Sequence, residues 1–371
     1  MRVALLAGAR PNYMKVFPLL EELKTAHPDV RPVLIHTGQH YDALMSDVFF
    51  SDFGVPKPDY FLGVGSGPHG AQTGRVMIAL EELLARDRPD ALVVVGDVNS
   101  TAAGALVAVK MGIPTAHLEA GLRSGDRTMP EEINRIVTDS ISDLLLTSCR
   151  DGDVNLRREG VPAARIRFVG NIMIDSLVRL LPRAAQSAIL GRLGVEERRY
   201  ALLTLHRPSN VDAPERLHLI LDQLAEVSET LPVVFPVHPR TRKTIDAMAL
   251  SPSFKRQSDD GRLQLVDPLG YLDFLRLESQ AALVISDSGG VQEETSFLGI
   301  PCLTVRPNTE RPVTVAEGTN RLVDPERVSL RLEAERSLRE CAGRPAPQIE
   351  YWDGRTAPRA IRALRDYLHG W

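Results

Sequence analysis

One stretch of the sequence, HLEAGLRSGDRTMPEEINR (residues 117–135), places four carboxylates and three arginines directly behind an apolar run. Glu119 follows PTAHL, which reads as a buried strand, and a carboxylate at that place must find a partner. Glu131 comes directly after Pro130, in the first turn of a predicted helix, where the helix dipole favours acids in any case. Arg135 stands four residues later and can simply pair with Glu131. We interpret Glu119 as functional, whereas a structural role explains Glu131 equally well.

Other polar side chains stand where further apolar runs end. Ligands of open parallel sheets bind beyond the carboxyl ends of the strands, so these positions are informative. They are Arg10, Lys15, His36, Gln39, Asp97, Asn99, Glu119 and Arg123 in the first half, and His206, Arg207, His238, Arg240 and Ser286 to Gly290 in the second. Asp97 can alternatively cap the helix after it, while His206 beside Arg207 favours function. We expect the strand ends of both halves to face one cleft that binds and transforms an anion.

The segment SDSGGVQEETSFLG (residues 286–299) is the clearest single site. Ser288, Gly289 and Gly290 lie between a predicted strand and a predicted helix, where free backbone N–H groups and the helix dipole can hold a phosphate. Glu294, one turn later, can reach a ribose hydroxyl, and Arg311 in TERP suits a diphosphate. The alternative is a tight strand-to-helix turn with a Ser or Asp cap.

The elements that must position these residues alternate between strands and helices. Short β-branched runs such as RVALLAG and ALVVVGD are separated by helical stretches such as AQTGRVMIALEELLARD, which predicts an α/β fold with a parallel sheet. The series starts again after Gly170 with YALLTLH, so we predict two Rossmann-type, doubly wound sheets in tandem. We place the domains at residues 1–170 and 171–356, with helix 357–371 bracing the first domain.

Bulk properties narrow the class of protein. The 371 residues exceed one ordinary domain, and a net charge of −4 lends no support to a nucleic-acid or membrane partner. Three widely spaced cysteines, no signal peptide and no apolar run near 20 residues predict a soluble protein of the reducing cytoplasm. GSGPHG (residues 65–70) lacks the context of a dinucleotide motif, and Gly38 separates the histidines of HTGQH, so we expect neither a nicotinamide cofactor nor a metal site.

Seven motifs together resemble the non-hydrolysing UDP-N-acetylglucosamine 2-epimerases. They are GARPNYMK, HTGQHYD, GDVNST, HLEAGLRSGDRTMPEEINR, the HR at 206–207, SDSGGVQEE and TERP, which occur in the family's order between Arg2 and about Val323. The resemblance implies a GT-B-like fold with the active site between the two domains. It assigns catalytic or sugar-side roles to Arg10, Lys15, Asp97, Glu119, Glu131, Arg135 and His206, with Arg207 helping to hold the anion. It assigns the UDP site to Ser288, Gly289, Gly290, Glu294 and Arg311, with Phe274 near the uracil.

The resemblance also implies a reaction. UDP leaves C1 of the sugar while a base removes the C2 hydrogen, and re-addition after protonation on the other face converts UDP-GlcNAc to UDP-ManNAc without a cofactor. Asp97, Glu119 and Glu131 would handle the protons, in a homodimeric enzyme that supplies surface polysaccharides.

Three departures separate this chain from well-studied members of the family. GARPN replaces GTRPE, so that Asn12 stands in place of an acid, and HRPS replaces HRRE. YDALMSDVF follows QH in place of the REMLDQ pattern of members with an allosteric UDP-GlcNAc site, which argues against allosteric activation by the substrate. HTGQHYD, MSDVFF and PKPDY also resemble enzymes acting on UDP-2,3-diacetamido-glucuronate. A GT-B glycosyltransferase, a hydrolysing relative and a UDP-sugar-binding regulator remain as alternatives.

Overall fold

The computed structural model describes residues 1–8, 10–39 and 56–370, with only the backbone of Arg10, Pro11 and Arg240. The chain forms two compact units, Met1–Arg179 with Glu350–Trp371, and Leu180–Ile349. From the sequence we placed the division after residue 170 and the return at residue 357. The division between Arg179 and Leu180 instead lies within a continuous helix, Ile172–Ala184.

The first unit is a parallel sheet with helices between its strands. The strands are β1 (Arg2–Ala7), β2 (Arg31–His36), β3 (Tyr60–Phe61), β4 (Ala91–Val95), β5 (Thr115–Ala120), β6 (Leu144–Thr147) and β7 (Ile166–Phe168). The helices are α1 (Arg10–Ala26), α2 (His69–Arg86), α3 (Asn99–Lys110), α4 (Pro130–Ile141), α5 (Arg150–Arg158) and α6 (Ile172–Ala184).

The strand order of the first sheet is β3-β2-β1-β4-β5-β6-β7, and every pair is parallel. Strands β1 to β3 extend the sheet in one direction, and strands β4 to β7 extend it from β1 in the opposite direction. The carboxyl ends of β1, β4 and β5 are therefore neighbours, although they are far apart in sequence. This reversal is the place where open α/β sheets bind ligands.

The second unit repeats the pattern with six parallel strands in the order β10-β9-β8-β11-β12-β13. The strands are β8 (Ala201–Thr204), β9 (Val233–Pro236), β10 (Leu263–Val266), β11 (Leu283–Ser286), β12 (Cys302–Val305) and β13 (Asn320–Val323). The helices are α7 (Ile189–Leu193), α8 (Pro208–Val211), α9 (Pro214–Ser228), α10 (Pro239–Ala247), α11 (Pro252–Asp259), α12 (Tyr271–Gln280), α13 (Gly289–Leu298), α14 (Val313–Ala316) and α15 (Leu330–Cys341). Its reversal lies between β8 and β11.

The last helix, α16 (Thr356–His369), returns to the first unit and packs against α1. Asp175 fastens its first turn, because the carboxylate accepts the backbone N–H groups of Thr356 at 3.0 Å and Ala357 at 2.8 Å. Just before the helix, the buried Trp352 indole donates to the Ser148 carbonyl at 3.0 Å. The two Asp175 contacts satisfy backbone donors that the start of a helix would otherwise leave open.

The predicted fold of two parallel-sheet α/β domains is confirmed. Strands β3 and β13 were not predicted from the sequence. The two residues of β3 are too few for a period, and two of the four residues of β13, Asn320 and Arg321, are polar. Across the described ranges, no helix is long and apolar enough to cross a membrane, and no group of three or more His, Cys, Asp or Glu side chains could hold a metal ion.

Candidate active site

Glu119 has an unusual backbone conformation. Its φ is 75°, in the left-handed region that side chains other than glycine rarely adopt, and the register between β5 and β6 shifts between Leu118 and Ala120. Such a bulge re-aims a side chain at the end of a strand, at a cost of about 1–3 kcal/mol. Strain that is maintained at a single carboxylate points to a use for that carboxylate.

Lys15 on α1 contacts the Glu119 carboxylate. Its ammonium Nζ donates to Glu119 Oε2, and the two side chains are only 11% and 5% exposed. Gly96 makes room for this pair, because a Cβ there would lie 3.1 Å from Lys15 Nζ and 3.3 Å from Glu119 Oε2. Asn12 lies beside them and donates to the Val95 carbonyl at 3.0 Å. The ends of β1, β4 and β5 thus meet as the strand order requires.

Arg135 belongs to a second charged group next to this pair. Its guanidinium contacts Asp97 and also donates to Glu132 Oε2 from Nε at 3.0 Å and from Nη2 at 2.7 Å. Burial would raise the pKa of Glu132, but the N–H of Ser124 and the guanidinium of Arg135 outweigh burial and lower it. Glu132 is therefore an ionised partner that holds Arg135 toward Asp97.

The pairing of Arg135 with Glu131 that the spacing allowed is wrong. Glu131 is exposed at the start of α4 and makes no hydrogen bond or ion pair within the described residues, whereas Glu132 is buried. The helical period explains the difference, because α4 turns position 132 inward together with position 135. Our sequence reasoning missed Glu132, although the amphipathic pattern of PEEINR could have indicated it.

Amide side chains continue the polar surface beside Asp97. Asn134 donates to the Asp97 carbonyl at 2.9 Å and to Asn99 Oδ1 at 3.2 Å. Asn99 in turn donates to Gln72 at 2.8 Å and contacts His69 Nδ1 at 3.1 Å. These groups surround the end of β4 with donors and acceptors suited to a sugar.

In the second unit, the fully buried Asp287 organises the segment after β8. It accepts the backbone N–H groups of His206 and Arg207 at 3.1 and 3.0 Å and the amide of Asn210 at 3.0 Å. His206 Nδ1 lies 3.0 Å from the same carboxylate, and the histidine side chain is 53% exposed. Burial raises the pKa of Asp287, but hydrogen bonds from His206 and Asn210 lower it overall. The carboxylate orients His206 with its second ring nitrogen left for a ligand.

The first residues of α13 meet a buried cluster of arginines. Ser288 and Gly289 begin the helix, and no side chain caps it. A Cβ at Gly289 would lie 2.6 Å from Arg311 Nη1, so glycine is what admits the guanidinium to the helix start. Arg311 is held by Glu293 and Glu310, each at 2.6 Å. Burial raises the pKa of Glu310, but Arg311 and Arg306 lower it far below its usual range.

Glu294 lies one turn into α13, with a second carboxyl group beneath it. Its Oε1 accepts the Tyr271 hydroxyl at 2.5 Å. Burial raises the pKa of Glu294 to about 7, and burial together with Glu294 raises that of the fully buried Glu278 well above its usual range. Burial and the neighbouring carboxyl group therefore both disfavour a state in which Glu278 and Glu294 are ionised together. Phe274, one turn after Tyr271, packs partly against the core of the unit.

The structure thus brings the predicted residues together in two sets. Within the first unit it gathers Lys15, Asp97, Glu119 and Arg135, and within the second His206, Arg207, Ser288, Gly289, Gly290, Glu294 and Arg311. Glu131 and Phe274 lie apart from the charged contacts. The side chain of Arg10 and the segment YDALMSDVF lie outside the described residues. Glu132 and Asp287 are the site residues that sequence reasoning missed.

The first Rossmann-like unit has paired carboxylates and cations, and the second has a glycine-rich helix start and buried arginines. These features define an enzyme that acts on an anionic nucleotide derivative. The family model for UDP-N-acetylglucosamine 2-epimerase matches residues 22–365. The chain therefore belongs to the UDP-N-acetylglucosamine 2-epimerase family and is an isomerase.

Relatives and solved structures agree with this membership. A UDP-N-acetylglucosamine 2-epimerase from Methanocaldococcus jannaschii is 40% identical over 98% of this chain and 99% of its own. A UDP-2,3-diacetamido-2,3-dideoxy-D-glucuronate 2-epimerase from Pseudomonas aeruginosa is 41% identical over 87% of this chain and 88% of its own. The crystal structure of the M. jannaschii UDP-GlcNAc 2-epimerase with UDP-GlcNAc and UDP matches 99% of this chain and 100% of that one, with a TM-score of 0.85 and 38% identity. The predicted GT-B-like fold is confirmed by this match.

Proposed function

We propose that this protein interconverts UDP-GlcNAc and UDP-ManNAc by inverting C2 of the sugar. In the forward direction a base removes the C2 proton while the C1–O bond to UDP breaks, and a C1–C2 double bond forms. UDP then adds back to C1 as a proton returns to C2 on the opposite face. Atoms and electrons balance without an oxidant, so the reaction requires no redox cofactor.

The observation that carries the proposal is the Lys15–Glu119 pair at a strained strand end. A carboxylate that removes a weakly acidic C–H proton must be aimed closely, and the bulge at Glu119 provides such aiming. The Lys15 ammonium donates to this carboxylate and holds it in place. We assign Glu119 as a base at C2, and Asp97, paired with Arg135, as the second carboxylate that handles the proton.

The nucleotide would be held by the second unit. The start of α13 offers backbone N–H groups and a positive dipole end to a phosphate, and Arg311 adds a guanidinium there. Glu294 follows one turn later and suits the ribose hydroxyls. His206, oriented by Asp287, would stabilise the negative charge that develops on the departing UDP.

The test is to incubate the protein with UDP-GlcNAc in D2O without an acceptor and to follow C2 by proton NMR. UDP-ManNAc carrying deuterium at C2 is the expected product. Free ManNAc and UDP would indicate the hydrolysing reaction instead. Binding of UDP-GlcNAc without exchange at C2 would leave only a regulator. A Glu119→Gln variant that exchanges at the wild-type rate would refute the role of Glu119.

A second substrate has specific support, because the P. aeruginosa relative is named for the diacetamido-glucuronate sugar and matches this chain at 41% identity. If UDP-2,3-diacetamido-glucuronate exchanges its C2 hydrogen at a much higher kcat/KM than UDP-GlcNAc, the assignment passes to that sugar. The glycosyltransferase alternative has no such support, since the matching family model describes a UDP-N-acetylglucosamine 2-epimerase.

The homodimeric state, the cytoplasmic setting and the supply of precursors to surface polysaccharide remain part of this proposal. Cys149 and Cys302 are buried thiols and Cys341 is a partly buried thiol, as suits a reducing compartment. Sedimentation equilibrium of the purified protein tests the dimer directly.

A further inference from the structure

His117, in the middle of β5, lies between two hydrogen-bond acceptors. Its ring is fully buried, with Nδ1 2.6 Å from Asp139 Oδ1 and Nε2 2.9 Å from the Gly96 carbonyl oxygen. A carbonyl oxygen can only accept, and so can an ionised carboxylate. The His117 ring therefore bridges the Asp139 carboxylate and the Gly96 carbonyl, with one ring nitrogen facing each oxygen.

Asp139 on α4 is the ionised partner in this arrangement. Besides His117, it accepts the backbone N–H of Gly121 at 3.0 Å and the Arg123 guanidinium at 2.7 Å. Burial would raise the pKa of Asp139, but His117 and Arg123 outweigh burial and lower it. A buried charge of this kind is costly to build, and well-packed apolar residues would stabilise the fold at least as well.

The two ends of this chain of contacts lead to the two proposed catalytic carboxylates. His117 holds the carbonyl of Gly96, which directly precedes Asp97, and Gly96 itself sits against the Lys15–Glu119 pair. Asp139 holds the N–H of Gly121, two residues beyond the strained Glu119. One buried pair thus ties together the ends of β4 and β5.

We propose that His117 and Asp139 are positioning residues for the epimerisation, which fix the backbone on both sides of the site so that Asp97 and Glu119 keep their places relative to the sugar. This inference rests on the proposed function. Neither side chain touches the substrate. Their effect passes through the Gly96 carbonyl and the Gly121 N–H.

The experiment compares Asp139→Asn and His117→Gln with a matched control, Asp175→Asn. Asp175 is also a buried carboxylate of the first unit that accepts two backbone N–H groups, but it fastens α16 instead of a strand end of the site. Activity is the rate of C2 exchange in D2O per UDP-binding site, with the sites counted by titration calorimetry. C2-deuterated substrate gives the kinetic isotope effect on proton removal.

Both positioning variants are expected to lower kcat by about 100-fold, because a displacement of the catalytic group by about 1 Å has that effect. UDP affinity should stay within about twofold, since the nucleotide residues belong to the other unit. The isotope effect should rise as proton removal becomes slower than the other steps. Asp175→Asn should lower thermal stability and keep the wild-type kcat and isotope effect.

The hydrogen bond between His117 and Asp139 offers a measurement on the wild-type protein, even if a variant folds poorly. In protein labelled with 15N-histidine, Nδ1 of His117 should carry an N–H proton that is hydrogen-bonded to Asp139, identified by its loss in His117→Gln. Absence of this proton, or positioning variants with wild-type kcat, would overturn the inference. If Asp175→Asn lost kcat equally, the effect would be merely structural. Absence of C2 exchange in the wild type would instead remove the proposed function, and this inference with it.

Discussion

His36, at the end of β2, should make the protein sensitive to acid. The side chain is 2% exposed, and neither ring nitrogen has a hydrogen-bond partner in the described structure. Its ring packs against Tyr13 and Phe61, with centroids 5.0 and 5.3 Å apart. Burial lowers the pKa of His36 from 6.5 to about 4, because the charged ring would lose its hydration without gaining a partner.

The direction and size of the effect of pH on stability follow from this pKa. The folded state binds the His36 proton less tightly than the unfolded chain does. The contribution of neutral His36 to the free energy of unfolding is therefore complete above pH 6.5 and is lost as the pH falls toward 4. At about 1.4 kcal/mol for each pKa unit, protonating His36 costs the folded state about 3 kcal/mol. His36→Phe keeps an aromatic ring between Tyr13 and Phe61 and removes the titration.

Urea unfolding at pH 7.5 and pH 4 measures the effect. Wild type and His36→Phe should both lose stability in acid, but the loss should be about 3 kcal/mol smaller in the variant. His36→Gln is the control, since it keeps a polar group but cannot take up a proton, and it should show the same reduced loss. Equal acid sensitivity in all three proteins would show that His36 does not remain neutral when buried.

Three further changes test the two sets of site residues and the docking of α16. Lys15→Met should cost about 3–5 kcal/mol by urea unfolding and abolish measurable C2 exchange, because it removes one partner of a buried ion pair and the group that holds Glu119 in place; a cost below about 1 kcal/mol would contradict the pairing. Gly289→Ala should weaken UDP binding by about tenfold in calorimetry. The new Cβ would lie only 2.6 Å from Arg311 Nη1 and would therefore displace the guanidinium. Unchanged affinity would place the phosphate elsewhere. Asp175→Asn should cost about 1–3 kcal/mol and speed amide hydrogen exchange in residues 356–369, whereas unchanged protection would show that the helix start is held by other contacts.

Much of the site could be predicted from sequence because its signals are local. A glycine pair between a β-branched run and a helical period indicates a phosphate-binding turn wherever it occurs. Glu119 was recognised for a similar reason, as a charge at the end of an apolar run. In contrast, the choice between Glu131 and Glu132 depends on how α4 is rotated against the sheet, and adjacent residues on a helix differ by about 100°.

The sequence by itself determined the alternation of strands and helices, the doubling of the fold and the polar residues at the strand ends, because each follows from a repeat only a few residues long. Only the tertiary structure decided the partners. Lys15 meets Glu119 across 104 positions of sequence, and His117 meets Gly96 across 21, because β1, β4 and β5 are neighbours in the sheet. The left-handed backbone at Glu119 is likewise a tertiary result. Hydrogen bonding between strands selects those neighbours, and no local pattern in the chain records them.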